Sequence, residues 1–317
     1  MAGIITSAGI DAGNFVNIPE AVRALYSREV MFQAQPRLRF MQFAKQKTDL
    51  QAQRGKSIVF TKYNNLTGGG QIAEDANLEA KGLSTSEVTI NVSEHGNAVK
   101  VTEYLMRTSL LDTLGDASRL LGSNAATVLD GQLRDTVLAS TNVIYGGQAT
   151  ETPPTSAATL ALGDGLDTAT IKDAVELLAS NNSPRIEGDY YVCIAHPHQL
   201  RQLRDDPAWI EANKYMGRRQ LYMGEAGMYE GVIFIESTQM PELASAATDT
   251  KYGTTGGPKV WEATIFGEDA FALGWALPIE MRDDGVIDFG RKRALAWYGI
   301  YGYAILHQEH LVRVVTA

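Results

Sequence analysis

Several stretches of this sequence carry residue types that could do chemistry. Arg54-Gly55-Lys56-Ser57 matches the end of a phosphate-binding loop, and Gly68-Gly69-Gly70 offers bare backbone amides. His196 and His198 flank Pro197, His307 and His310 lie three apart, and Cys193 is the single thiol. None of these completes a site. The phosphate loop needs glycine at position 50, where the chain has Leu50, and a helix where the pattern turns to a strand. No helix N-terminus directly follows Gly68-Gly69-Gly70 to make it an anion cradle. His307 and His310, read as part of a strand, point to opposite faces and share no metal. His196 and His198 lack a third ligand nearby, and Pro197 marks a strand-to-helix turn. Cys193 lies in the apolar run Tyr190 to Ala195 and reads as a buried structural thiol. A lone cysteine also excludes a disulfide framework and a cysteine-based zinc site. With no nucleophile elbow in the chain, no catalytic, cofactor-binding or metal-binding residue is assigned.

The charge distribution is more informative. Between Arg23 and Lys62 stand nine bases: Arg23, Arg28, Arg37, Arg39, Lys45, Lys47, Arg54, Lys56 and Lys62. Against Glu29 and Asp49 they give +7, which leaves −16 on the rest of a chain whose net charge is −9. A basic arm on an acidic body can bind nucleic acid, or the acidic body of another copy. The second option produces head-to-tail contacts, which close into rings. The longest apolar run, Ala294 to Leu306, has 13 residues and is too short to span a bilayer. The N-terminus lacks a signal-peptide pattern, so assembly in a cytoplasm is expected.

The elements that must position these residues can be placed by period. Residues 1–18 read as a flexible or extended arm, and Pro19 opens a helix to about Gln33 that Pro36 stops. The period then becomes two. Ser57 to Tyr63 is a strand, the tip lies around Gly68-Gly69-Gly70, and Val88–Val92 and Ala98–Val101 return around a turn at Glu94-His95-Gly96-Asn97. Such an excursion is marginal alone and must lean on this body or a neighbour's.

From Met106 to Ser140 the pattern is that of one long helix. Asp112, Asp116, Arg119, Ser123, Thr127, Asp130 and Arg134 form a polar stripe, with Leu114, Ala117, Leu121 and Ala125 opposite. The apolar side drifts through Leu129, Leu133 and Val137, as if the helix changes partner near its end. A helix around Ile171 to Leu178 with a Thr170/Asp173 capping pair, a strand Tyr190–Ala195, a short helix from Pro197 and a hairpin over Gly224–Ser237 follow. The last third is β-rich: Val260–Phe266, Ala270–Met281, and a single long strand over Arg293–Val315 with a bulge or sharp twist at Gly299 and Gly302. This order is α+β and fits neither a doubly wound sheet nor a barrel.

Taken together, these parts resemble the major capsid protein of tailed bacteriophages, with the Hong Kong ninety-seven-type fold. More narrowly they resemble the coat-protein family typified by the N-four-like phages. The resemblance rests on His196-Pro197-His198-Gln199 with Leu203-Arg204, and on Gly224-Glu225-Ala226-Gly227 running into Gly231-Val232-Ile233-Phe234-Ile235-Glu236. It rests also on the glycine-tipped hairpin just before the long helix.

The family implies an N-terminal arm over 1–45, an extended loop over 46–104 and a peripheral domain over 105–189 and 271–317, with a spine helix at 106–140. It implies an axial domain over 190–270. The expected function is structural: copies join as pentamers and hexamers into an icosahedral shell around double-stranded DNA, in the virion. The expected partners are the chain itself, a separate scaffolding protein, a portal and a possible decoration protein, with no cofactor and no membrane. Inter-subunit contact is assigned to Arg37, Arg39, Lys45, Lys47, Arg54, Lys56, Lys62, Gly68, Gly69 and Gly70. No cross-linking motif is matched, so Lys62 gets no covalent role. An encapsulin-like compartment shares the fold and remains an alternative, as does a hydrolase with a dispersed site.

Overall fold

The computed structural model describes residues 39–48, 55–63, 66, 71, 82–109, 112–148, 153–161, 163–215, 225–243 and 259–317. The expected first helix, Arg37, Arg54 and the Gly68–Gly70 tip lie outside them. The chain divides into two compact units. One draws on 96–125 and 280–298, the other on 36–95, 126–279 and 299–317.

The larger unit is built on a sheet with strand order β5-β13-β10-β6-β8-β7, with β9 also pairing β10. These strands are β5 Val143–Tyr145, β6 Tyr191–Ala195, β7 Glu225–Tyr229, β8 Val232–Glu236, β9 Glu242–Leu243, β10 Val260–Phe266 and β13 Leu311–Thr316. The continuous apolar runs of β6 and β8 are explained by burial on both faces. Val192, Ile194, Ile233, Ile235 and Phe266 pack with Leu129, Leu133 and Val137 of the long helix. Tyr191, Cys193, Val232, Phe234 and Ile265 face the other way. There they meet Ile171, Ala174 and Leu178 of α3 (Thr168–Ser180) and Leu200 and Leu203 of α4 (Pro197–Arg204). The helix α5, Pro207–Tyr215, adds Trp209 to that second layer. The α3 start is capped by Asp167, whose Oδ1 accepts from Thr170 N at 2.7 Å, and not by the Thr170/Asp173 pair. Asp173 is one turn too late to reach the orphan amides.

The expected helix over 106–140 is two helices, α1 Glu103–Thr108 and α2 Thr113–Leu138. Ser109 leaves α1 with extended backbone (ψ 139), and Asp112 starts α2 by accepting from Gly115 N at 3.2 Å. Asp112 therefore belongs to a cap, which the uninterrupted 3.6-residue period concealed. Along α2 the buried line is Ala117, Leu121, Ala125, Leu129, Leu133, Val137. Each step of four overshoots a turn by roughly 40°, so this line winds about 200° round the helix. The drift read in the sequence is that winding.

A second sheet has the order β1-β11-β12-β4, with β1 Lys45–Lys47, β4 Ser93–Thr102, β11 Phe271–Ile287 and β12 Lys292–Ile305. The long final strand is interrupted: β12 ends at Ile305, a 3-10 turn spans Gln308–His310, and β13 follows. The turn expected at Glu94–Asn97 is instead continuous β4. Gly96 is there for close approach, since a Cβ on it would lie 2.8 Å from the Trp297 carbonyl oxygen. Gly302 likewise makes room, for the Asn91 backbone, and not for a bulge. In the smaller unit Trp297 is buried and its Nε1 donates to Asn124 Oδ1 at 3.0 Å, an oxygen that also accepts from Asn97 Nδ2 at 3.1 Å.

Candidate functional site

The polar residues singled out in the sequence gather at two anchoring clusters, one at Arg39–Phe43 and one at the paired strands Ser57–Tyr63 and Thr85–Asn91. The first is the cluster at Arg39–Phe43. Asp130 belongs to the polar stripe of α2, yet it is 1% exposed. Its Oδ2 accepts from Arg39 N at 3.1 Å and its Oδ1 from Phe40 N at 2.9 Å and Met41 N at 3.1 Å. Those amides open the 3-10 turn Met41–Phe43, so Asp130 caps it from another element. Burial pushes the carboxyl above the usual range, while the three N–H donors and the Arg134 charge pull it back. Phe40 is fully buried in the core and Phe43 meets Phe266 edge-on at 5.5 Å. Lys45 to Lys47 then pair in parallel with Ala272 to Gly274.

The second cluster is that of the hairpin. Strands β2 Ser57–Tyr63 and β3 Thr85–Asn91 pair antiparallel, with Ile58 opposite Ile90. Both isoleucines are buried with Ala272, so the hairpin leans on this chain's own body. Polar contacts continue outward. Lys47 Nζ donates to Val59 O at 2.9 Å and lies 5.0 Å from the Phe60 ring. Lys62 Nζ lies 2.9 Å from His307 Nδ1 and 3.7 Å from Glu309. An ammonium can only donate, so this contact requires a neutral His307 with Nδ1 as acceptor. Burial first, then Lys62 and His310, push His307 below the ordinary histidine value.

The residues singled out in the sequence fall into two groups. Lys45 pairs with Asp269 at 2.5 Å, Lys47 and Lys62 hold the hairpin root, and Arg39 is buried. Lys56 is exposed, with its carbonyl accepting from Val92 N at 3.1 Å. Gly55 and Lys56 lead directly into β2, which gives a phosphate no helix terminus. His196 accepts from His198 N through Nδ1 at 3.1 Å, caps α4, and stacks on Trp261 with centroids 4.0 Å apart. His307 and His310 do not diverge as in a strand. The Gln308–His310 turn brings their rings into a stack at 4.4 Å. Cys193 is fully buried, and burial pushes its thiol up. Among the described residues no group of three or more His, Cys, Asp and Glu could hold a metal, and no helix is long and apolar enough to cross a membrane.

Asp130 is the residue that sequence reasoning missed as an anchor. Its only signal was a carboxylate flanked by Leu129 and Leu133 on a helix whose apolar line drifts toward it.

The fold matches that of solved phage capsids across its length. The capsid of Ralstonia phage GP4 superposes with a TM-score of 0.73 at 17% identity, covering 98% of both chains. The capsid of cyanophage Pam1 gives 0.72 at 15% identity, over 96% of this chain and 99% of that one. The acid-stable capsid of Helicobacter pylori bacteriophage KHP30 gives 0.69 at 14%, over 96% and 99%. No curated protein sequence matches. The family described as phage capsid protein matches residues 23–307. By that match, over most of its length and on a capsid fold, the chain belongs to the phage capsid protein family.

Proposed function

We propose that this chain is the major capsid protein of a phage head, joining copies of itself into pentamers and hexamers that close into an icosahedral shell around double-stranded DNA. The observation that carries the reading is a family match over residues 23–307 on a fold shared end to end with phage capsids. The role is structural, and a separate scaffolding protein and portal complete the assembly. Expression with its neighbouring genes, followed by negative-stain microscopy, tests it. Uniform closed particles holding DNA are expected. A stable monomer overturns the reading, and particles filled with protein cargo would replace it by a compartment.

Within this reading the basic stretch docks on acidic surface of adjacent copies. Lys45, Lys47 and Lys62 already serve partners in their own chain, so they anchor the reaching segment. Exposed Lys56 is left for the neighbour, and Arg37, Arg54 and Gly68-Gly69-Gly70 keep the inter-subunit contact expected of them from the sequence. Reversing Arg37, Arg54 and Lys56 to Glu is expected to block particles while the subunit stays folded. Normal empty particles with poor DNA content would reassign the stretch to DNA.

A further inference from the structure

We propose that His95, Gln132 and Tyr301 form a proton-read latch, which holds the start of β4 on α2 and β12 while His95 is neutral and releases it when the ring is protonated. The three residues come from β4, α2 and β12 and are linked in series. Tyr301 Oη donates to Gln132 Oε1 at 3.0 Å, and Gln132 Nε2 lies 3.2 Å from His95 Nδ1. The His95 ring stacks on Tyr301 with centroids 4.3 Å apart, and its Nε2 lies 2.8 Å from Ser93 Oγ. Trp275 of β11 meets Tyr301 edge-on at 5.4 Å.

The order of donors leaves His95 one state. Tyr301 is fully buried, and its hydroxyl proton is taken by Gln132 Oε1. The amide then has only its Nε2–H to offer His95, so Nδ1 must be a bare acceptor. The proton of the neutral ring sits on Nε2 and goes to Ser93. A second proton would land on Nδ1 and face an N–H donor. Turning the amide over does not rescue the contact. Its NH2 would then meet Tyr301 Oη, whose own proton would lose its acceptor in a buried site. His95 itself is half-buried, so protons reach it from solvent without the core opening.

Burial holds His95 below the ordinary histidine value, and the Tyr301 carbonyl opposes that shift. The folded state thus prefers the neutral ring. The latch is complete above about 6.5 and is lost as pH falls through the lower folded value. The tyrosines around it do not titrate in that window. Tyr301 is pushed up to about 12 by burial and by Tyr303, which is itself raised by burial and by Asp135 of α2. Glu94, next to His95 in sequence, lies on the other face of β4. A bridge of the same design in the smaller unit has nothing to titrate, since Asn124 Oδ1 accepts from Trp297 Nε1 and from Asn97 Nδ2. The strand residue, His95 or Asn97, decides whether such a bridge reads pH.

Hydrogen exchange of the full chain tests the latch, corrected for intrinsic rates and run in a His307→Gln background to remove the other histidine contact. The readout is the subunit's own and is independent of the shell reading. From about pH 7.5 to about pH 5, amides at the start of β4 are expected to exchange about fivefold faster, the worth of one ordinary hydrogen bond. Amides around Asn124 should hold steady. His95→Gln keeps an acceptor that gains no proton, so the step should vanish. Gln132→Glu offers a carboxylate to both Tyr301 and a charged His95, so acid should then slow exchange. A merely structural contact would loosen β4 equally at both pH values in either variant. The latch is overturned by a step that persists in His95→Gln, by equal loosening at both pH values in Gln132→Glu, or by no step with His95 in place. An equal rise around Asn124 also overturns it, since the whole subunit would then be loosening.

Discussion

The β2–β3 and β11–β12 hairpins are held in different ways. The β2–β3 hairpin is tied down at its root by Ile58 and Ile90 in an apolar cluster and by Lys47 and Lys62 in polar contacts to its own chain. Its outward face carries polar Ser57, Thr61, Glu87 and Thr89 together with exposed Val59 and Tyr63. The β11–β12 hairpin closes its charges on itself and displays Phe289 and Val286 to solvent. A segment whose departure direction matters is fixed by buried contacts near its base. The turn at Met41–Phe43 follows the first pattern, with Asp130 in the place of Lys62.

The contrast can be broken at its strongest point by Asp130→Ala. Three amides would lose their acceptor within a buried site, at a cost of about 3 kcal/mol. Urea unfolding should show it, with Asp130→Asn milder because its carbonyl still accepts. A loss below about 0.5 kcal/mol would mean that the Met41–Phe43 turn is not held by this carboxylate. Next in size is Gly302→Ala, whose Cβ would run into the Asn91 backbone beneath the hairpin. A cost of about 2 kcal/mol is expected for such overpacking, with faster amide exchange in β3. Unchanged exchange there would remove the claim that β12 seats the hairpin.

The smallest effect depends on pH. His307 is held below its ordinary value of about 6.5, so the folded state prefers it neutral. The Lys62–His307 contact is therefore complete above about 6.5 and is lost as pH falls through the lower folded value. Glu309 and Asp269 oppose the shift, while Lys62 and the stacked His310 reinforce it. Both partners are partly exposed, which limits the contact to about 0.5 kcal/mol. Exchange of the β2 amides, corrected for intrinsic rates, should rise a few-fold on acidification, and the step should vanish in His307→Gln and in Lys62→Met. A step that survives in both variants would place the sensor elsewhere.

Much of this was legible in residue order. Ser57–Tyr63 is a strand with the expected bounds, and the hairpin over Gly224–Ser237 is β7–β8 with its turn at Glu230-Gly231. Pro197 opens α4 as expected. The misplacements share one cause: a local signal with two physical meanings. Gly96 can serve a turn or a close approach, Asp112 a polar stripe or a cap, and Leu306-His307 a strand or its break. Neighbours distant in sequence decide among such readings. The basic stretch shows the same limit, since nine bases predict attraction to acid but not that Lys45 finds Asp269 in its own chain.

The sequence by itself determined the periods, hence which residues could be buried together, and the charge asymmetry, since both depend only on residue type and spacing. It also determined the order of parts that points to the capsid family. Tertiary structure alone decided that Asp130 is an internal cap, that His307 and His310 stack, and that Phe289 stands in solvent on a left-handed turn. A period says which face a residue lies on, but what covers that face is set by distant elements, as Arg39 to Met41, 91 to 89 residues away, cover Asp130.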